Sequence, residues 1–405
     1  MNIQNYIAKR FQHAGSGLSL DTEALAKYSD IIDLSIGDTD FTTDEAIIEK
    51  AYLDAKAGHT HYGDPKGDPE LIAAVCKAWQ EDFSQALTPD HVLVTASSCL
   101  GMALTMLAIL NPGDEVIVFS PYFAMYRSQI ELAGGVCVDV PTYACENYAI
   151  SEERLRAAIT PKTKAIIFNN PTNPTGMAYG RETLELLAKI AQEYDLLVAA
   201  DEIYTTYLYE GDYIPLRTLP GMLERTITLN SFSKNFLMTG WRVGVIIAEP
   251  ALLCVMNQVN GALIYSAPSI SQRAAIAALE NRARIRERYI AAYRERIFYS
   301  TERLEKLPYL SLVAPKGTFY LFPGVEKTGL SSGEFCKALL ERAHILVSPG
   351  DVFGIAGKQH FRIACTVNID KLREAYDRME ALSFREKPRP ADRFVNYTKK
   401  STIIH

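Results

Sequence analysis

The 405-residue chain predicts an α/β fold. A large domain with a mostly parallel seven-stranded sheet flanked by helices is joined to a smaller α+β domain built from the N- and C-terminal parts. Three observations carry this. From Val92 to Ala248, short apolar runs alternate with helical patterns, as expected of parallel strands covered on both faces. With 48% of its residues hydrophobic, the chain can bury more core than one ordinary domain holds. Beyond about residue 309 the alternation gives way to mixed strands and helices.

Taken in order, residues 1–45 read as an arm and the start of the small domain. A helix is expected from Thr42 to Gly58, with Asp44 and Glu45 in its first turn. A Gly/Pro-punctuated loop, His59 to Pro69, leads to a second helix ending near Phe83. The strand candidates are Val92–Ala96, Glu115–Ser120, Val136–Val140, Lys164–Asn169, Leu196–Ala200, Thr226–Leu229 and Val243–Ala248. Helices are expected between them at Leu100–Leu110, Ala124–Leu132, Glu152–Ile159 and Arg181–Tyr194. A long helical stretch, dense in Arg and Glu, runs from Ala267 to about Leu307. The division that follows is a large domain over 46–285, a small domain over 286–383 and a polar tail over 384–405.

Composition excludes several functions. A net charge of −6 gives no electrostatic reason to bind nucleic acid or an anionic membrane. Seven scattered cysteines without a C-x-x-C pair argue against a disulfide framework or a zinc site, and place the chain in a reducing cytoplasm. The N-terminus has no basic and apolar leader pattern. Val92 to Asn111 is uncharged, yet Thr95, Ser97, Ser98 and Thr105 interrupt it, which fits a strand turning into a buried helix better than a membrane span. No G-x-G-x-x-G follows the first parallel strand, so a dinucleotide site is not expected.

In a parallel sheet, sites form where strands end. The first strand ends in Ser97-Ser98-Cys99 at a helix start, where free backbone N–H groups can cradle an anion. The second ends in Pro121-Tyr122-Phe123, an aromatic that could stack on a flat cofactor. Asn169-Asn-Pro-Thr-Asn173-Pro-Thr-Gly176 ends the fourth, and Asp201-Glu-Ile-Tyr204 the fifth. A carboxylate there needs a partner, which a protonated pyridine nitrogen would supply. The sixth strand delivers Ser231-Phe-Ser233-Lys234, followed eight residues later by Arg242. Burying a lone ammonium is costly, and a Schiff base with a carbonyl cofactor removes that charge. Serines and an arginine around the lysine suit a phosphate.

In this order, and with the element S-x-S-K-x₅-G-W-R-x-G, the chain resembles the class I/II (fold-type I) aminotransferases over roughly residues 30–382. The resemblance implies pyridoxal 5′-phosphate as cofactor, no metal, and transfer of an α-amino group from an amino acid to a 2-oxo acid by a ping-pong mechanism. It makes Lys234 the residue that holds the cofactor and then moves the substrate's proton. Asp201 would keep the ring nitrogen protonated, and Tyr204 and Asn173 would hydrogen-bond its phenolic oxygen. Phe123, rather than Tyr122, takes the stacking position. Ser98 and Cys99 through their N–H groups, with Ser231, Ser233 and Arg242, would hold the phosphate. Tyr62 would reach the neighbour's phosphate across a homodimer interface. Arg362 would clamp the substrate carboxylate, helped by the Gly37 backbone and Asn173.

Thr39 replaces the family's usual proline, and Cys99 is not the basic residue of some aspartate-specific members. The expected donor is an aromatic or other uncharged amino acid, with 2-oxoglutarate as acceptor. A lyase or cyclase of the same fold, of the C–S lyase or aminocyclopropane-carboxylate-synthase kind, shares the same motif residues and stands as the alternative.

Overall fold

The computed structural model describes residues 3–8 and 27–384, so the tail over 385–405 lies outside the described residues. The first strand, β1 (Ile32–Asp33), belongs to the N-terminal part. The central sheet then takes β2 (Val92–Thr95), β3 (Glu115–Ser120), β4 (Val136–Pro141), β5 (Thr163–Asn169), β6 (Leu197–Asp201), β7 (Thr226–Ser231) and β8 (Gly244–Ile247). Four short strands follow: β9 (Tyr320–Leu321), β10 (Ile345–Leu346), β11 (Ser348–Pro349) and β12 (Phe361–Ala364).

The seven-stranded sheet has the order β2-β8-β7-β6-β5-β3-β4. Every pairing is parallel except those of β8, which runs against both β2 and β7. All seven expected strands form, with ends shifted by a residue or two. Ladder bonds rather than hydropathy decide those ends.

Alternate residues of each strand enter different cores. Val116, Val118, Ala165, Ile167, Ala199 and Ile227 pack with the helices Ser98–Ile109, Met125–Leu132 and Pro250–Leu263 on one face. Ile117, Phe119, Ile166, Phe168, Val198 and Ala200 pack with Glu152–Ala158 and Arg181–Glu193 on the other. Two covered faces leave only the strand ends open to a ligand.

A separate core gathers the C-terminal segment around the antiparallel set β11-β12-β9 and the parallel pair β1-β10. Ile32 and Leu34 from the N-terminal part bury there beside Leu321, Phe335, Phe361, Ile363 and Tyr376. The long helical stretch is two helices, Ser269–Glu280 and Arg282–Glu305, interrupted at Asn281, whose side-chain amide bonds back to the Ala277 carbonyl at 2.9 Å. Its basic residues do more than face solvent: Arg296 is buried and pairs with Asp40 at 2.8 Å. The first large helix is Glu45–Lys56, three residues later than Thr42, because the Asp44 carboxylate caps it through the Ala46 N–H at 3.1 Å.

Candidate active site

Strand register sets the site. Asn169 lies opposite Asp201, while Gly244 lies opposite both Thr95 and Ser231. The ends of β2, β5, β6 and β7 therefore converge on one edge, where a cavity of about 1100 Å³ opens toward Arg362 on β12. Gly37, Ser98, Cys99, Phe123, Asn173, Asp201, Tyr204, Ser231, Ser233, Lys234, Arg242 and Arg362 all line it. Tyr122 does not; it is buried behind the cavity and accepts a bond from Arg127 at 3.1 Å. Tyr62 lies apart, 87% exposed, with its ring edge-on to Tyr265.

The floor is Asp201. It is buried, the Tyr126 hydroxyl donates to its Oδ2, and its Oδ1 has no partner. Burial pushes its pKa up to about 6, against the pull of the Tyr126 hydrogen bond. A buried carboxylate oxygen left open on a cavity wall fits a cationic N–H donor such as a protonated pyridine. Asn169 braces this end, donating to the Asp201 carbonyl at 2.8 Å and accepting from the Asn173 N–H at 2.8 Å.

At one side the chain makes an anion cradle. The Ser97 side chain caps the helix Ser98–Ile109 from a positive φ of 124°, accepting from the Leu100 N–H at 3.3 Å. Gly244 permits this approach: a Cβ there would sit 2.7 Å from the Ser98 nitrogen and 2.9 Å from the Ser97 carbonyl carbon. Ser231 caps the short helix that carries Lys234, accepting from the Ser233 N–H at 3.1 Å. Arg242, exposed and in the left-handed region at φ 54°, bonds the Thr239 carbonyl at 2.7 Å and keeps donors for an anion. Gln129 donates to the Cys99 carbonyl at 2.9 Å. These groups could hold a phosphate.

Across the cavity the Lys234 amine donates to the Gly37 carbonyl and lies 5.7 Å from the Phe319 ring centre. Arg362 is buried. It donates to Asn173 Oδ1 at 3.0 Å and to the Ser35 carbonyl at 2.5 Å, and its Nε has no partner. The rings of Tyr320 and Phe353 lie 4.6 and 4.9 Å from its guanidinium carbon. Tyr204 is buried, and burial holds its pKa well above the ordinary phenol range. It therefore stays protonated at neutral pH and can donate.

Sequence reasoning missed several participants. Tyr126 stands in the aromatic segment after β3, but nothing in its spacing showed that its hydroxyl reaches Asp201. Asn169 stood in a quoted motif without a role. The Ser35 carbonyl and Tyr320 come from segments with no local signature. Only the fold brings them in.

The sequence pattern described as "Aminotransferase class I and II" matches residues 29–379. An aspartate aminotransferase of Pyrococcus abyssi is 38% identical over 89% of this chain and 94% of its own length. The arginine–pyruvate transaminase of Pseudomonas aeruginosa is 35% identical over 86% of this chain and 89% of its own. Among solved structures, the aromatic aminotransferase of Pyrococcus horikoshii superposes with a TM-score of 0.85 at 35% identity, covering 89% of this chain and 97% of that one. All three names describe amino-group transfer, which does not favour the lyase or cyclase alternative. Among the described residues no group of acidic, histidine and cysteine side chains could hold a metal, and no helix is long and apolar enough to cross a membrane.

Proposed function

Because the chain belongs to the class I and II aminotransferases and is a pyridoxal 5′-phosphate-dependent transaminase, we propose that it takes the α-amino group of an uncharged amino acid, aromatic ones included, and passes it to 2-oxoglutarate. The observation that carries the donor class is the cavity wall. Ile36, Leu340, Leu346, Val347 and Val352 line it, and Arg362 is the one buried arginine on it among the described residues. One guanidinium serves one α-carboxylate. The side chain of an uncharged donor packs on this apolar wall, while Lys27 and Lys337, which also line the cavity, are the cations that the second carboxylate of 2-oxoglutarate meets.

The cavity geometry supports a role for each residue. Ser98, Cys99, Ser231, Ser233 and Arg242 bind the phosphate, and Phe123 covers the ring. Asp201 keeps the ring nitrogen protonated through its free oxygen, while Tyr204 and Asn173 bind the phenolic oxygen. When bound, the cofactor supplies an electron sink for charge that develops at the substrate Cα. Arg362, steadied by Asn173 and Ser35, takes the substrate carboxylate, with the Gly37 backbone alongside. Lys234, whose amine faces the cavity beside the Gly37 carbonyl, would remove the Cα proton and return it on the cofactor side. Two buried ring faces and the Asn173 contact fix Arg362, so the carboxylate is oriented before reaction.

The remaining parts of the proposal are structural. Tyr62 serves the neighbour's phosphate in a cytoplasmic homodimer, which accounts for an aromatic ring this exposed. The large cofactor domain spans 46–285 and the small one 286–383, with the arm over 1–45.

The test is the visible absorption of the purified holoenzyme during addition of single amino acids, then of 2-oxoglutarate. Bleaching by phenylalanine, tyrosine or leucine, reversed by the oxo acid, is expected. Bleaching by aspartate or glutamate alone would remove the donor assignment.

A further inference from the structure

We infer that Tyr320 is a positioning residue that ties the Tyr204 hydroxyl to the Arg362 guanidinium, so that the cofactor and carboxylate ends of the cavity are set by one side chain. The inference rests on the roles proposed above for Tyr204 and Arg362.

Tyr320 lies on β9, opposite Ala364 of β12 and so next to the strand that carries Arg362. It is 2% exposed and lines the cavity. Its ring lies 4.6 Å from the guanidinium carbon of Arg362, and its hydroxyl is 3.2 Å from that of Tyr204. A ring that only packed could be phenylalanine, as its neighbour Phe319 is. A hydroxyl this deeply buried costs stability unless it is bonded. Its bond is to Tyr204.

The direction of that bond follows from proton counting. Tyr204 has one hydroxyl proton, and donating it to the cofactor's phenolic oxygen leaves its own oxygen only to accept. Tyr320 is then the donor, and a donor behind Tyr204 strengthens what Tyr204 donates forward. The same hydroxyl occupies the space a Cβ on Gly37 would need, and the Gly37 carbonyl accepts from Lys234. Tyr320 thus touches Tyr204, Arg362 and the Gly37 backbone together, without itself meeting the reacting atoms.

The experiment compares holoenzymes carrying Tyr204→Phe, Tyr320→Phe, both changes, and Tyr320→Leu. Two quantities are read. One is the midpoint of the visible absorption change with pH, which reports how firmly the phenolic oxygen is held. The other is the dissociation constant of unreactive 3-phenylpropionate. Weaker donation lets the cofactor end keep its proton to higher pH, so Tyr204→Phe raises the midpoint. Tyr320→Phe raises it by about half a pH unit, less than a full neutral hydrogen bond is worth. Its carboxylate affinity stays within about twofold of the parent, because the ring remains.

The double variant shows no shift beyond Tyr204→Phe alone, since Tyr320 acts through Tyr204. Tyr320→Leu weakens carboxylate binding by roughly fivefold or more, as the cation–π contact is lost. A Tyr204→Phe shift with none from Tyr320→Phe, or additive shifts in the double variant, overturns the inference while leaving the role of Tyr204 intact. No shift from Tyr204→Phe overturns that role and the inference with it. Unchanged carboxylate affinity on loss of the ring overturns the inference as well, and if Tyr320→Leu does not fold, Tyr320→Met, which also lacks the ring, reads that end.

Discussion

Asp201 shows at the scale of one residue how a site is kept at a cost to stability. Burial lifts its pKa from an ordinary 3.8 to about 6, and Glu202 beside it is lifted to about 7 by burial as well. Between pH 4 and 6 the folded, cofactor-free chain holds the Asp201 proton while the unfolded chain has lost it. Stability therefore falls as pH rises through that window and stays lower above it. At pH 8 the penalty is on the order of 2–3 kcal/mol. Asp201→Asn removes the charge and can still accept from Tyr126. Urea unfolding of the cofactor-free protein should find the variant more stable at pH 8 by about 2 kcal/mol, with the gap shrinking toward pH 4.5. Its affinity for pyridoxal 5′-phosphate should fall. A variant less stable than its parent at pH 8 would mean the carboxylate is not the strained group.

Among the elements, the turn from β2 into the helix Ser98–Ile109 is made possible by a strand distant in sequence. Gly244 begins β8 between Thr95 and Ser231, and its missing side chain lets the Ser97–Ser98 backbone close down on the sheet. Gly244→Ala places a methyl against backbone atoms of Ser97, Ser98 and Asn230 that cannot rotate away. It should cost about 1–3 kcal/mol and weaken cofactor affinity about tenfold, read by thermal unfolding and by fluorescence titration of the cofactor. Unchanged affinity would show that the N–H cradle is not the phosphate site. The sequence alone already placed this glycine in the motif that ends in Gly244, since short β-branched strands and small residues at strand ends are local signals. Its reason was not legible there. The contact joins residues far apart in the chain, and only antiparallel β8 in an otherwise parallel sheet creates it.

Across the whole molecule, the site is assembled from four remote parts: the segment around Gly37, the strand ends, the Lys234 loop and Arg362 on β12. Alternating apolar strands made the large sheet legible, because each strand's burial is written in its own residues. The motif around Lys234 made the chemistry legible. What stayed hidden lies between segments: Tyr126 reaching Asp201, Ser35 bracing Arg362, and Tyr320 spanning Tyr204 and Arg362. Such contacts depend on register and domain packing, which no local window carries. In the proposed function these parts deliver one lysine, among many on the surface, to the cofactor. Borohydride reduction of the holoenzyme followed by peptide mass mapping tests it most directly. One cofactor-derived mass per chain is expected, on the peptide that contains Lys234, with activity lost in proportion. Labelling scattered over exposed lysines, with Lys234 unmodified, would contradict it.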